Sequence, residues 1–206
     1  QYGAEFQGRN PYAWNDPRVR FPLAVASRRI GNRVDSSTFY MSRSHSAADD
    51  AWRTCAAAEL WIDARDARCP KPTLGCSWTM DRPFLDGQLN EAFWGSASMV
   101  VLSSPLEDDE AWPARAFFAR DAQHLYFAFQ CKMAEGLDYA ETEEVRQRDP
   151  VQTSLDRVDL MLDLDRDYSI FYRFTVDHRG WASESVWNDS SWDPDWFVAV
   201  VKENGW

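Results

Sequence analysis

The chain has 206 residues, with 22 basic against 33 acidic side chains for a net charge of −11, and it carries 11 tryptophans. That length is enough to bury a core, and 45% hydrophobic with 15% aromatic residues is too apolar for a disordered chain. An acidic balance works against nucleic acid, whose phosphates call for Lys and Arg. No run of ~18 uncharged apolar residues offers a membrane span.

The opening Gln1-Tyr2-Gly3-Ala4-Glu5 has no basic segment followed by an apolar one, which is expected of a chain whose signal peptide has been removed. Residues 1–80 hold 11 basic and 8 acidic side chains, a net of +3, whereas residues 81–206 hold 11 and 25, a net of −14. Two parts with different work are therefore expected, an N-terminal extension over 1–80 and a domain over 81–206.

Along the chain, Asn10-Pro11, Asp16-Pro17 and Phe21-Pro22 each push the preceding residue out of helical space, so the first forty residues read as irregular. Arg28, Arg29 and Arg33 read as a solvated face. Ser46 is a candidate cap for a helix over about 46–68, with Trp52, Ala56, Leu60 and Ala64 on one stripe, and Pro70 and Pro72 stop it. From residue 83 the period becomes two. Phe84-Leu85 reads as a short strand before Asp86-Gly87. Residues 114–120 and 124–130 read as a hairpin around Asp121-Ala122-Gln123. Residues 134–155 form a polar excursion. Further strands follow at 157–164, 169–176, 181–187 and 196–201. The fold class expected is mainly β, an antiparallel β-sandwich behind a partly helical extension.

The segments over 83–206 resemble family 9 carbohydrate-binding modules. Phe84-Leu85-Asp86-Gly87-Gln88-Leu89-Asn90-Glu91-Ala92-Phe93-Trp94 is similar to the opening of those modules. Residues 114–129 resemble their first hairpin. Asp156-Arg157-Val158-Asp159-Leu160-Met161-Leu162-Asp163 and Phe171-Tyr172-Arg173-Phe174-Thr175-Val176-Asp177 resemble two later strands, in the same order. The resemblance implies a sugar-binding sandwich whose members continue past Gly205-Trp206 into a further strand. Where such modules carry one Trp of their sugar clamp, this chain has Thr153-Ser154-Leu155.

The densest candidate is Trp181, Trp187, Trp192 and Trp196, interleaved with Asp189, Asp193 and Asp195. Flat indoles suit the C–H faces of pyranoses, and carboxylates suit their hydroxyls. The same indoles would also serve as sandwich core. Trp181 and Trp187, an even number apart, would share a face of a strand, while Trp192 and Trp196 flank the Asp193-Pro194 turn and read as exposed. Asp159 and Arg173 match positions near the family's polar contacts, or form a cross-strand ion pair. Asp163, Asp165 and Asp167 alternate as Ca²⁺ ligands would, although Tyr168 and Phe174 stand where an EF-hand needs Gly and Glu; a solvated turn is the other reading. Asp108-Asp109-Glu110 and the run Glu141, Glu143, Glu144 read as solvated faces. Cys69 and Cys76 close a proline-stiffened loop and are the candidate disulfide of a secreted protein. Cys55 and Cys131 remain, the latter as a buried thiol. Asn188-Asp189-Ser190 matches a glycosylation sequon.

No Gly-x-Ser-x-Gly, His-Glu-x-x-His or phosphate loop is present, and His45, His124 and His178 lie apart, which makes an enzyme the weaker class. The expected function is non-catalytic binding of a polysaccharide or glycan by an extracytoplasmic module of a larger protein. The alternative is an assembly module of an extracytoplasmic complex, with the remainder of a larger protein or a partner chain completing the sheet. A haem-binding sandwich, using Met133 with His124 or His178, comes third.

Overall fold

The structure, a computed structural model, describes residues 2–137, 139, 149–150, 156–203 and 205–206. The chain falls into two compact units, Gln1–Thr73 with Met161–Tyr172, and Leu74–Leu160 with Arg173–Trp206. Its secondary structure is mixed rather than mainly β, because the N-terminal residues are helical. No helix among the described residues is long and apolar enough to cross a membrane.

The first unit holds α1 (Tyr2–Arg9), α2 (Pro11–Trp14), α3 (Pro17–Arg29), α4 (Arg33–Ser44) and α5 (Ala51–Ala64). The irregular stretch expected over the first forty residues is thus corrected. Pro11 and Pro17 occupy first helical positions, where a missing N–H costs nothing and the fixed φ suits the helix. Asp16 caps α3 by accepting the Arg18 N–H at 2.9 Å. Pro22 lies inside α3, and the helix runs through it because Phe21, fully buried, anchors that turn. The expected helix over 46–68 is shorter at both ends. Asp50 rather than Ser46 caps it, accepting the Arg53 N–H at 3.0 Å, and Arg65 ends it in the left-handed region at φ 51°.

Phe21 is the centre of the helical core. Phe39, Tyr40, Trp52 and Tyr168 all pack rings on it, at centroid distances of 5.2, 5.6, 5.2 and 4.9 Å. One turn along α5 from buried Cys55 sits Glu59, a carboxylate 3% exposed. It is neutralised by Arg28 at 2.8 Å and Arg166 at 3.1 Å, and it accepts the Tyr168 hydroxyl at 3.1 Å. Burial and then the negative Glu59 push the Tyr40 hydroxyl up to about 12.

In the second unit the expected hairpin is present. β3 (Ala114–Arg120) and β4 (Leu125–Cys131) pair antiparallel with Arg115 opposite Gln130. β2 (Ser98–Leu102) pairs antiparallel with the other side of β3, and β1 (Ser77–Trp78) pairs parallel with its end. Both β1 and β2 are additions to the strands that the sequence predicts. A second sheet has the order β5 (Arg157–Leu162), β6 (Tyr172–Asp177), β7 (Ala182–Val186). Phe84-Leu85 and residues 196–201 are not strands. Pro194 supplies no N–H, and Trp196 turns in to pack on Phe174. Most of the polar stretch 134–155, including Glu141, Glu143, Glu144 and Thr153-Ser154-Leu155, lies outside the described residues.

Substituting Glu59→Gln leaves two guanidinium groups facing a neutral amide, and is expected to cost about 3 kcal/mol in urea denaturation. Glu5→Gln, which removes only the exposed pair with Arg9, is expected to cost less than ~1 kcal/mol.

Candidate functional site

Alternation along β6 separates the residues that the sequence places together. Arg173, Thr175 and Asp177 point to one side of the strand and Phe174 to the other. On the first side Asp159 is a shared acceptor. Its Oδ1 takes the Arg173 Nε–H at 3.0 Å and the Thr175 hydroxyl at 2.6 Å, and its Oδ2 takes the Arg157 Nε–H at 3.1 Å. Asp159 and Arg173 therefore form the cross-strand ion pair. Burial alone would raise this carboxyl, but the hydrogen bonds from Arg173, Thr175 and Arg157 hold it at about 2.

On the opposite side, Trp192 and Trp196 meet the Phe174 ring edge-on, with centroids 5.6 and 5.0 Å away and planes at 70° and 69°. Trp196 also donates its Nε1–H to buried Glu184 at 3.0 Å. These two indoles are half-buried packing partners of Phe174 and do not stand as exposed platforms, nor do they share a face with Arg173 and Asp159. Trp181 is buried in the turn between β6 and β7, under the Arg179 guanidinium at 3.7 Å. The turn itself is held by the Asp177 carboxylate, 2% exposed, which accepts the Arg179 N–H at 2.9 Å and the Trp181 N–H at 3.1 Å. Burial works against ionising Asp177, yet the Arg179 hydrogen bonds lower its pKa overall. Trp187 follows the end of β7, at φ 53° in a tight turn, and is 58% exposed. It therefore does not share a strand face with Trp181. Within the sequon, Asp189 accepts the Ser191 N–H and hydroxyl at 2.9 and 2.6 Å.

The alternating aspartates face their own loop and a guanidinium. Asp163 accepts the backbone N–H groups of Arg166 and Tyr168 at 2.7 and 2.8 Å. Asp167 accepts those of Ser169 and Ile170, both at 2.8 Å, and Asp165 pairs with Arg29. Each carboxylate is committed to its own loop or to a guanidinium. Among the described residues no three His, Cys, Asp or Glu side chains gather as metal ligands would. Cys69 and Cys76 are not bridged, and all four cysteines are free thiols. Cys131 is exposed at the end of β4, and Cys55 is the buried one, 3.0 Å from the Lys71 ammonium.

The histidines also have local partners. His124, in the β3–β4 turn, lies 3.5 Å from Asp121 and stacks on Tyr126. His178 meets the Tyr139 ring edge-on at 5.2 Å. Met133 follows β4, donating its N–H to the Gly205 carbonyl at 2.9 Å.

A different group of residues does converge. The cross-strand pair Arg115 and Gln130 forms, with Glu203 and Trp206, an open cleft of 390 Å³. Glu203 and Trp206 exchange backbone hydrogen bonds at 3.0 and 2.9 Å, which fixes their turn. The Arg115 guanidinium carbon stands 5.8 Å from the Trp206 ring centre. The cleft thus presents a fork of N–H donors, a carboxylate, an amide able to donate and accept, and an indole face. The sequence does contain a signal for two of these residues. Arg115 and Gln130 are polar residues near the ends of two largely apolar strands, as Arg120 is at the other end of β3, and the register sets the two opposite each other. Glu203 and Trp206 carry no such mark.

Comparison with known proteins returns no matching family model, no matching curated protein and no matching solved structure.

The Asp159 network gives a pH prediction. A folded-state pKa of about 2 lies below the ~3.9 of an unfolded aspartate, so its stabilisation is complete above about pH 4 and disappears as pH falls toward 2. Urea midpoints are expected to show Asp159→Asn less stable than wild type by roughly 1–2 kcal/mol at pH 6, with the gap closing by pH 2.

Proposed function

We propose that residues 83–206 are a non-catalytic glycan-binding module with a β-sandwich of the family 9 carbohydrate-binding type, serving a larger secreted or surface protein. The observation that carries this reading is the cleft of Arg115, Gln130, Glu203 and Trp206, rather than the tryptophans between 181 and 196. An indole face covers the axial C–H groups of a pyranose. A guanidinium and a carboxylate on the same cleft donate to and accept from neighbouring hydroxyls, and Gln130 does either. Nothing in this donor set performs chemistry on the sugar: one carboxylate is present, where glycoside hydrolysis uses a pair.

The alternative role as an assembly module is favoured by a separate observation, the exposed apolar edge of β2.

Calorimetric titration against soluble oligosaccharides from plant and bacterial polysaccharides tests the glycan reading. Wild type is expected to bind at least one, Trp206→Ala and Arg115→Ala each to lose at least about tenfold in affinity, and Trp192→Ala to bind as wild type. A folded protein that binds none of them, or that loses binding only with Trp192→Ala, overturns the proposal.

A further inference from the structure

We infer that the chain forms a two-fold dimer in which β2 pairs antiparallel with β2 of a second copy, continuing the first sheet across the interface. This is independent of the glycan reading. β2 lies at the end of its row of strands: β3 occupies one of its edges, and among the described residues no strand pairs with the other. Four successive apolar residues stand open there, with Met99 47%, Val100 37%, Val101 62% and Leu102 39% exposed. The outer edge offers a row of backbone donors and acceptors, which only another extended strand satisfies in full.

Natural sheet edges of this kind are normally blunted by a lysine, an inward-pointing charge, a proline or a bulge. β2 has none of these within Ser98–Leu102, and its pairing with β3 is an unbroken register from Ser98 opposite Phe118 to Leu102 opposite Ala114. The edge is therefore straight and unguarded. The interval 92–106 contains no charged residue, whereas the chain as a whole carries −11. Two such acidic molecules repel over most of their surfaces, and this uncharged interval is a place where they can meet without opposing like charges.

The sequence of β2 also fits itself. An antiparallel pair centred on Val100 sets Val100 against its own copy, Met99 against Val101, and Ser98 against Leu102. Directly opposed residues point to the same face of a sheet. Met99 with Val101 of the second copy, and the reverse pair, then cover one face, while the two Val100 and two Leu102 side chains meet on the other. An isologous contact of this sort closes after two copies, because each uses its only β2 edge.

The test is a charge-swap series followed by sedimentation velocity. Wild type is expected to sediment as a dimer. Val100→Asp and Val100→Lys each place two like charges across the two-fold axis, and each is expected to weaken dimerisation at least about tenfold. An equimolar mixture of the two variants is expected to recover the dimer, because only the mixed pair sets a carboxylate on one copy against an ammonium on the other. Val100 is already open to solvent, and far-UV circular dichroism on each variant shows that the fold is kept. A monomeric wild type overturns the inference and leaves the edge to a strand of another protein. A dimer indifferent to both charges, or a mixture that stays monomeric, overturns the β2 register.

Discussion

Aspartate carboxylates turned back onto nearby backbone N–H groups hold the turns of this fold. Asp16 and Asp50 do so at helix starts. Asp86, Asp121, Asp163, Asp167 and Asp189 do so in loops and Asp177 at the end of β6, each taking an N–H two to five residues further along. A carboxylate is the strongest side-chain acceptor for such a group, and two oxygens let it serve more than one. Asp121 shows the effect at its fullest: it accepts the N–H groups of Gln123 and His124 and the Tyr126 hydroxyl, at 2.6, 2.6 and 2.7 Å. Its pKa is lowered, first by Tyr126 and then by Gln123, while burial and the same bond push the Tyr126 hydroxyl up to about 12. Much of the acidic excess is therefore architectural. This is also why the run from Asp163 to Asp167, whose spacing suits a hard cation, ties down a loop instead.

The same physics decides what is legible in the sequence. The β3–β4 hairpin is readable because apolar strands flank an Asp-led turn, and that turn chemistry is local. The strands at β5, β6 and β7 are readable for the same reason. The N-terminal helices are not, since Pro11 and Pro17 act as helix starters only if helix follows, and that depends on burying Phe21, Phe39 and Tyr40 together. β2 is hidden because Ser98–Leu102 alternates in neither polarity nor burial. Residues 196–201 mislead in the opposite sense: they have strand-like composition, but a proline precedes them and Trp196 is drawn onto Phe174.

For the site, composition points to tryptophan and register decides which one. Four indoles within sixteen residues are conspicuous in the sequence, yet Trp181 goes under Arg179, Trp192 and Trp196 brace Phe174, and Trp187 stands out on a turn. Arg173 points away from all the indoles that Phe174 holds, because neighbours in a strand face opposite sides. The indole that shares the cleft is Trp206: the β3–β4 pairing sets Arg115 opposite Gln130, and the Met133 N–H bond to the Gly205 carbonyl holds the neighbouring Trp206 beside them. Long-range register of that kind leaves no trace in spacing.

On the proposed reading, ligand recognition belongs to the Trp206 cleft and not to the Trp181–Trp196 cluster. Indole N–H resonances in a ¹H–¹⁵N spectrum report on each tryptophan separately as oligosaccharide is added. The Trp206 signal is expected to move with saturation while those of Trp192 and Trp196 stay in place. Movement of Trp192 and Trp196 with Trp206 unchanged would contradict it.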